Sequence, residues 1–334
     1  MLILGIETSC DETAAAVVQD GKNILSNAIA SSQDMHAKTG GIIPEKAARE
    51  QLRSIIPVID QSLKDAKIDA SEIDAIAVTV GPGLAGSLMV GVETAKTLSF
   101  LWNKPVIPVN HLVAHLYANW VEATPQFPAV GLVVSGGHTD LVLMKGHGKV
   151  KLIGQTRDDA AGEAFDKTAR LLGLGYPGGP AMSMAAEKYL QDNESAKLNL
   201  FPRPMISSDD FDFSFSGLKT AVLNFTKKSE GFNVNEVAAN VQEAIVESLV
   251  AKSIKAINKY LPKSFILAGG VAANERLRIL FKERISKDCL GVDFFSPKPN
   301  LSTDNAVMIA ACAFFNNNVR PWKTISVDPQ MTIA

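Results

Sequence analysis

Residues 1–18, MLILGIETSCDETAAAVV, read as two apolar strands joined by the polar turn ETSCDE, and residues 129–144, AVGLVVSGGHTDLVLM, read the same way around VSGGH. Near-continuous apolar runs on either side of a short polar turn are the pattern of strands buried on both faces. Working outward, the first pair is followed by an expected strand over 22–30, a helix over 44–64, a strand over 73–80, a helix over 84–101 and a strand over 106–109. Pro44 suits the first turn of the 44–64 helix, and Pro57 predicts a kink or break in it. The second pair is followed by a strand over 150–154, a helix over 159–172 stopped by Gly173, and a less regular Gly/Pro-rich stretch. A long helix over 234–260, a strand over 264–268, a helix over 274–286, a strand over 292–295 and a helix over 304–315 complete the chain. Twice, then, three strands precede helix, strand, helix and strand. In each copy a later strand ends in a Gly-rich loop that opens a helix, VTVGPGLAG at 78–86 and ILAGGVAAN at 266–274. Self-similarity at this scale predicts a duplicated α/β chain with its ligand cleft between the copies. The alternative is one large α/β sheet with accidental likeness.

A chain of 334 residues suggests about two domains, and 46% hydrophobic against 20% charged residues allows sizeable packed cores. A net charge of -2 excludes binding to nucleic acid through bulk positive charge but leaves room for a local basic groove. The first residues lack the basic start of a secretory leader. The uncharged run 75–92 contains Gly81, Pro82, Gly83, Gly86 and Gly91, so it reads as strand, loop and helix rather than as a membrane span. Cys10, Cys289 and Cys312 are too few and too scattered for a disulfide framework or a four-cysteine zinc site. A reduced cytosol is the expected setting.

Residues 81–86, GPGLAG, match the G-x-G-x-x-G dinucleotide pattern after a strand and before a helix, but the next strand ends in Asn110 where the ribose-binding acid belongs. Tight helix–sheet packing is the competing use of those glycines. There is no Walker loop, because Asp166 stands where its second Gly would be. Phosphate must then be held by turns and helix N-termini, and Thr8-Ser9-Cys10 and Ser135-Gly136-Gly137-His138 suit that task.

His111 and His115 stand four apart directly after a strand, which on a helix puts both imidazoles on one face for a metal. Asn110 is a plausible N-cap. A zinc peptidase would carry Glu between them, and Leu112 occupies that position. A third ligand must come from elsewhere. Asp304 in NLSTDNAVM is a candidate, with an N-terminal helix charge as its equal alternative.

Taken together, ILGIETSCDETAAAVV, GGIIPEKAARE, VGPGLAGSLMVG, VNHLVAH, VVSGGHTDLVLM, DDAAGEAFDKTARLLGLGYPGGP, FSFSGLKTAV, LAGGVAANERL and STDNAVMIA closely resemble, over nearly the whole chain, the tRNA N6-adenosine threonylcarbamoyltransferases, formerly described as O-sialoglycoprotein endopeptidases. The resemblance implies a duplicated actin-like fold of the acetate-and-sugar-kinase and heat-shock ATPase type. It divides into 1–110 plus 303–334 and 111–302, the second with helical insertions. It implies His111, His115 and Asp304 as ligands of one divalent metal, Fe2+ favoured over Zn2+. Val134, Ser135, Gly136, Gly137, His138, Asp166, Gly179 and Asn274 match positions that hold threonylcarbamoyl-AMP or a related nucleotide, and Ser9 and Glu12 match positions near the reacting group. His36 fits the family pattern. Gln51 departs from it, since a His usually follows the Arg of the P-E-x-x-[SA]-R motif by two residues.

The implied reaction moves a threonylcarbamoyl group from its adenylate to N6 of the adenosine adjacent to the anticodon, in tRNAs that read codons beginning with A, and releases AMP. Glu12 or Asp11 is the carboxylate expected nearest the amine. Implied partners, besides tRNA, are a smaller actin-like paralogue and a small ATPase, with no membrane. Arg276, Arg278, Lys282 and Arg284, or Lys252, Lys255 and Lys259, form helical basic clusters that either meet tRNA or are solvated faces. A metallopeptidase and a non-catalytic nucleotide-binding regulator are the competing readings.

Overall fold

The computed structural model describes residues 1–33, 35, 41–193 and 195–334, and His36 lies outside the described residues. The chain divides into two compact units, 1–125 with 146–150 and 297–334, and 126–145 with 151–296. The division expected after residue 110 falls inside the first unit, which also takes in 111–125.

In the first unit β1 (Leu2–Glu7) is flanked by β2 (Glu12–Gln19), antiparallel to it, and by β4 (Ala75–Gly81), parallel to it. With β3 (Asn23–Ser31) outside β2 and β5 (Val106–Asn110) outside β4, the sheet order is β3-β2-β1-β4-β5. Ile3, Leu4 and Ile6 have no solvent exposure. Burial of this kind is worth about 1.5–3 kcal/mol per side chain. The uncharged run 75–92 splits, as expected, into β4 and the start of α2 (Ala85–Trp102). The helix α1 (Pro44–Ala66) is continuous through Pro57, so of the kink or break expected there the break does not occur. α3 (His111–Glu122) and the last helix, α9 (Ala306–Asn316), pack against each other, and α9 also lies on β1. That approach needs Gly5, where an added Cβ would sit 2.3 Å from the Ala306 carbonyl oxygen.

The second unit repeats the arrangement. β6 (Ala129–Val134) pairs antiparallel with β7 (Thr139–Gly146) and parallel with β9 (Ser264–Ala268), and the order is β10-β9-β6-β7-β8, with β8 at Lys149–Gln155 and β10 at Asp293–Phe295. Read from the outer hairpin strand, this is the same order as in the first unit. The helices are α4 (Ala161–Leu171), α5 (Gly178–Asp192), α6 (Ser216–Lys228), α7 (Val234–Tyr260) and α8 (Glu275–Asp288). α5 and α6 lie inside the stretch read as irregular. Gly178, Gly179 and Pro180 open α5, and a helix interior would not tolerate them, but a first turn does. Among the described residues no helix is long and apolar enough to cross a membrane.

Candidate active site

β1 ends in Glu7, a carboxylate without solvent exposure. Its Oε1 accepts from the Ser9 N–H at 2.5 Å, and its Oε2 accepts from the Thr79 hydroxyl at 2.6 Å. His111, the first residue of α3, brings Nδ1 to 3.0 Å from the same Oε2 and 3.2 Å from Ser9 Oγ. Asn110 caps α3 as expected, accepting from the Val113 N–H at 3.1 Å. One turn further, the His115 ring centroid is 4.6 Å from that of His111. Asp304 Oδ1 lies 3.5 Å from His111 Nε2 and 3.2 Å from His115 Nε2. Asn305 is the N-cap of α9, accepting from the Met308 N–H, so Asp304 stands outside the helix. The two histidines and Asp304 offer one ligand atom each within 4.8 Å of one another.

His115 is buried, yet neither ring nitrogen has a hydrogen-bond partner. Its Nε2 faces Asp304 Oδ1 at 3.2 Å. Two imidazoles and a carboxylate form the donor set of mononuclear Fe(II) sites and also suit Zn2+. The residues therefore fit a divalent metal. Leu112, in the position of the peptidase glutamate, is buried in the core, so no general base stands between the histidines.

Burial depresses the His111 imidazole, but Glu7 and Asp304 outweigh it and hold it up at about 9. Burial raises Glu7, but the charge of His111 brings it below the usual carboxylate range. Burial pushes His115 down, against the pull of Asp304, and keeps it neutral.

The β1–β2 turn carries Ser9, Asp11 and Glu12. Burial first, then the charges of Asp304 and Asp11, push the Glu12 carboxyl up to about 10. Burial and Asp11 likewise raise the Cys10 thiol, which makes it a poor nucleophile. Gln51 of α1 is buried beneath this turn. Its Nε2 donates to the carbonyls of Cys10 at 3.0 Å, Glu12 at 3.1 Å and Thr8 at 3.3 Å. The family departure is thus a backbone clamp. The Gly-rich loop after β4 is the other support. A Cβ on Gly83 would lie 2.5 Å from the Ser9 carbonyl oxygen, and the Leu84 N–H donates to that oxygen at 2.8 Å. The G-x-G-x-x-G pattern here serves close packing.

In the second unit a pocket of about 750 Å³ is lined by four of the expected substrate residues, Gly136, Asp166, Gly179 and Asn274, joined by Ser183, Gln242 and Arg276. Its size is that of a small-molecule site. Asp166 Oδ1 accepts from the Gly178 N–H at 2.7 Å, holding the start of α5, and burial raises its carboxyl. Asn274 caps α8 through Leu277 and donates to Ser183 Oγ and Gln242 Oε1, each at 2.9 Å. Ser183 was missed by sequence reading because α5 was, and Gln242 because nothing in the expected 234–260 helix marks which of its faces meets Asn274. Val134, Ser135, Gly137 and His138 do not line the pocket. The Val134 side chain is in the core, and the Ser135 N–H donates to the His138 carbonyl at 2.9 Å, closing the β6–β7 turn.

The two basic clusters are largely spent inside the second unit. Arg276 pairs in bidentate fashion with Glu243 at 2.6 and 2.8 Å, Arg278 donates to the Ala272 carbonyl, and Arg284 pairs with Asp288. Buried Lys252 donates to Ser208 and Asp210, Lys255 donates to the Ser208 carbonyl, and Lys259 lies over the Phe211 ring. Of these seven side chains, Lys259, Lys282 and Arg284 are exposed.

A sequence profile of the family described as tRNA N6-adenosine threonylcarbamoyltransferase matches residues 23–311. A protein of that name from Dehalococcoides mccartyi is 54% identical over 316 residues, covering 94% of this chain and 93% of the relative. Another from Syntrophomonas wolfei is 50% identical over 331 residues, covering 98% and 96%. Among solved structures, full-length HypF in its phosphate- and nucleotide-bound form superposes with a TM-score of 0.62 at 13% identity, over 95% of this chain and 55% of that one. The component A of (R)-2-hydroxyglutaryl-CoA dehydratase from Acidaminococcus fermentans gives 0.54 at 17% identity, over 94% and 98%. These structural likenesses establish the duplicated actin-like fold.

Proposed function

We propose, for a chain that belongs to the tRNA N6-adenosine threonylcarbamoyltransferase family and is thereby a tRNA-modifying transferase, that the donor is threonylcarbamoyl-AMP and the product, besides AMP, is N6-threonylcarbamoyladenosine adjacent to the anticodon. The observation that carries this reading is the His111–His115–Asp304 cluster, in which two buried imidazoles converge on one carboxylate.

The N6 lone pair attacks the carbamoyl carbonyl carbon, and the bond from that carbon to the phosphate oxygen breaks with its electron pair leaving on AMP. The adenine amine is a weak nucleophile, so positioning and charge stabilisation must supply most of the acceleration. A divalent metal on His111, His115 and Asp304, Fe2+ by preference and Zn2+ as second choice, supplies a Lewis acid for the donor's oxygens when bound. The pocket lined by Gly136, Asp166, Gly179 and Asn274 takes the nucleotide part of the donor, and Gly136 and Gly137 of the β6–β7 turn offer backbone N–H groups to phosphate. We assign the N6 proton to the Asp11–Glu12 pair. Glu12, whose carboxyl is raised in the metal-free protein by burial first and then by Asp304 and Asp11, is suited to passing a proton on. Ser9 orients the turn. With most of its two helical basic clusters spent on internal contacts, the chain draws tRNA affinity from partners, a smaller actin-like paralogue and a small ATPase, in a reduced cytosol.

The deciding experiment mixes the protein with threonylcarbamoyl-AMP and unmodified tRNA, with and without those partners, and looks for the modified nucleoside. Its appearance is expected with the full set, and no product with the full set overturns the reading. Full transfer rate by Glu12→Gln from preformed adenylate would remove that residue from the proton path.

A further inference from the structure

We infer that Glu7 is the positioning residue of the metal centre, holding the His111 ring through Nδ1–H so that Nε2 alone is presented to the ion; this rests on the metal assignment proposed above. Three observations lead to it. Glu7 is a carboxylate without solvent exposure at the end of the central strand, where a charge is costly unless every contact compensates. Its three donors come from three separate elements: the Ser9 N–H of the turn at 2.5 Å, the Thr79 hydroxyl of β4 at 2.6 Å and the His111 Nδ1 of α3 at 3.0 Å. The parallel register that pairs Ile6 with Val78 brings Glu7 beside Thr79, so the sheet itself aims Oε2 at the helix start. Backbone chemistry alone would use Oε1. It is Oε2, held by Thr79, that reaches the imidazole.

The other face of that ring supplies the reason. His111 Nε2 points toward Asp304 at 3.5 Å, in the cluster with His115. A metal-bound imidazole must keep its proton on the nitrogen away from the ion, and a carboxylate at that nitrogen fixes both tautomer and ring orientation; loss of such a partner typically lowers metal affinity about 10–100-fold. Nothing in the fold requires Glu7 for packing, since an isosteric amide fills the same volume. An amide would, however, face at least one of the three donors with its own NH2.

The test uses the full chain with Zn2+ as probe, its affinity measured by competition with a chromophoric chelator, beside the melting of the metal-free protein. Glu7→Gln is expected to bind Zn2+ about 10–100-fold more weakly. In the Zn2+-saturated variant the ring N–H proton resonance of His111, far downfield when donated to a carboxylate, is expected to move upfield. Thr79→Val, which leaves the carboxylate in place but unbraced, is expected to shift both readings in the same direction by less. It carries the test if Glu7→Gln does not fold. Wild-type affinity and an unmoved His111 resonance in the folded variants would overturn the inference. If His115→Ala binds Zn2+ as well as the wild type, the metal assignment itself falls, and Glu7 with it.

Discussion

The two first turns of the duplicated units occupy the same place in the same sheet topology and have been put to opposite uses. In the first unit the turn after β1 is filled: Gln51 clamps three of its carbonyls, Glu7 takes the Ser9 N–H, and Asp11 and Glu12 crowd toward Asp304. In the second, the turn after β6 is left open, and an added Cβ on Gly136 or Gly137 would meet nothing within 4 Å. Even the supporting helix differs. α1 reaches its turn with a glutamine side chain, whereas α4 reaches the other with the main chain of Gly162, whose N–H donates to the Ser135 carbonyl at 3.2 Å. What the units share is the glycine behind the turn: a Cβ on Gly83 would strike Ser9, and one on Gly269 would strike the Val134 carbonyl oxygen at 2.4 Å. Duplication kept the scaffold contact and freed the turns. One gathered carboxylates and imidazoles fit for a cation; the other kept bare backbone fit for an anion.

The sharpest way to break that contrast is to strip the cation side. His115→Ala is expected to weaken metal binding by more than the roughly 100-fold that outer partners govern, read as metal content after dialysis, with the fold unchanged by circular dichroism. Next is the shared element. Gly269→Ala puts a side chain at φ +91° and against the Val134 carbonyl, and should cost about 2 kcal/mol in denaturant unfolding. Gln51→Leu, which leaves the carbonyls of Thr8, Cys10 and Glu12 without their shared donor, should cost about 1.5 kcal/mol by the same measurement.

The pH response follows from His111. Its pKa, held up at about 9 against an ordinary 6.5, means that in the metal-free protein its ion pair with Glu7 stabilises fully below about 6.5 and is lost as pH rises through about 9. A metal must displace that proton, so measured affinity should rise with pH, up to about tenfold per unit, and level off near 9. The smallest effect is expected on the open side. Gly137→Ala should change stability by less than about 0.5 kcal/mol while weakening AMP binding by calorimetry. Equal stability costs at Gly137 and Gly269 would dissolve the distinction between open turn and shared support.

Much of this was legible in the residues. The two apolar pairs around ETSCDE and VSGGH announced the duplication, and the helix over 234–260 and strand over 264–268 lie where their periodicity put them. α5 and α6 were not legible, because the glycines and prolines that open α5 read as loop until a cap makes them a first turn. Pro57 does not break α1, because a helix packed along one face can tolerate one missing N–H. Within the site, the histidine spacing and the N-cap at Asn110 were visible. Glu7 was not: an acid closing an apolar strand looks like the strand's end, and only strand pairing brings Thr79 to it. Gln51 read as the absence of a histidine, since nothing in a linear sequence tells that three carbonyls converge beneath it.

The packing of α9 on β1 and α3 has a consequence in time. During synthesis residues 126–296 emerge with everything the second unit contains, while the first unit waits for its last helix. Between the appearance of His115 and that of Asp304 the ribosome works for roughly 10–40 s at ordinary elongation rates. Throughout that interval the two imidazoles are present without their carboxylate. The cluster of His111, His115 and Asp304 is therefore completed late, and a nascent chain arrested before residue 304 carries the second unit complete and two imidazoles without the carboxylate that joins them.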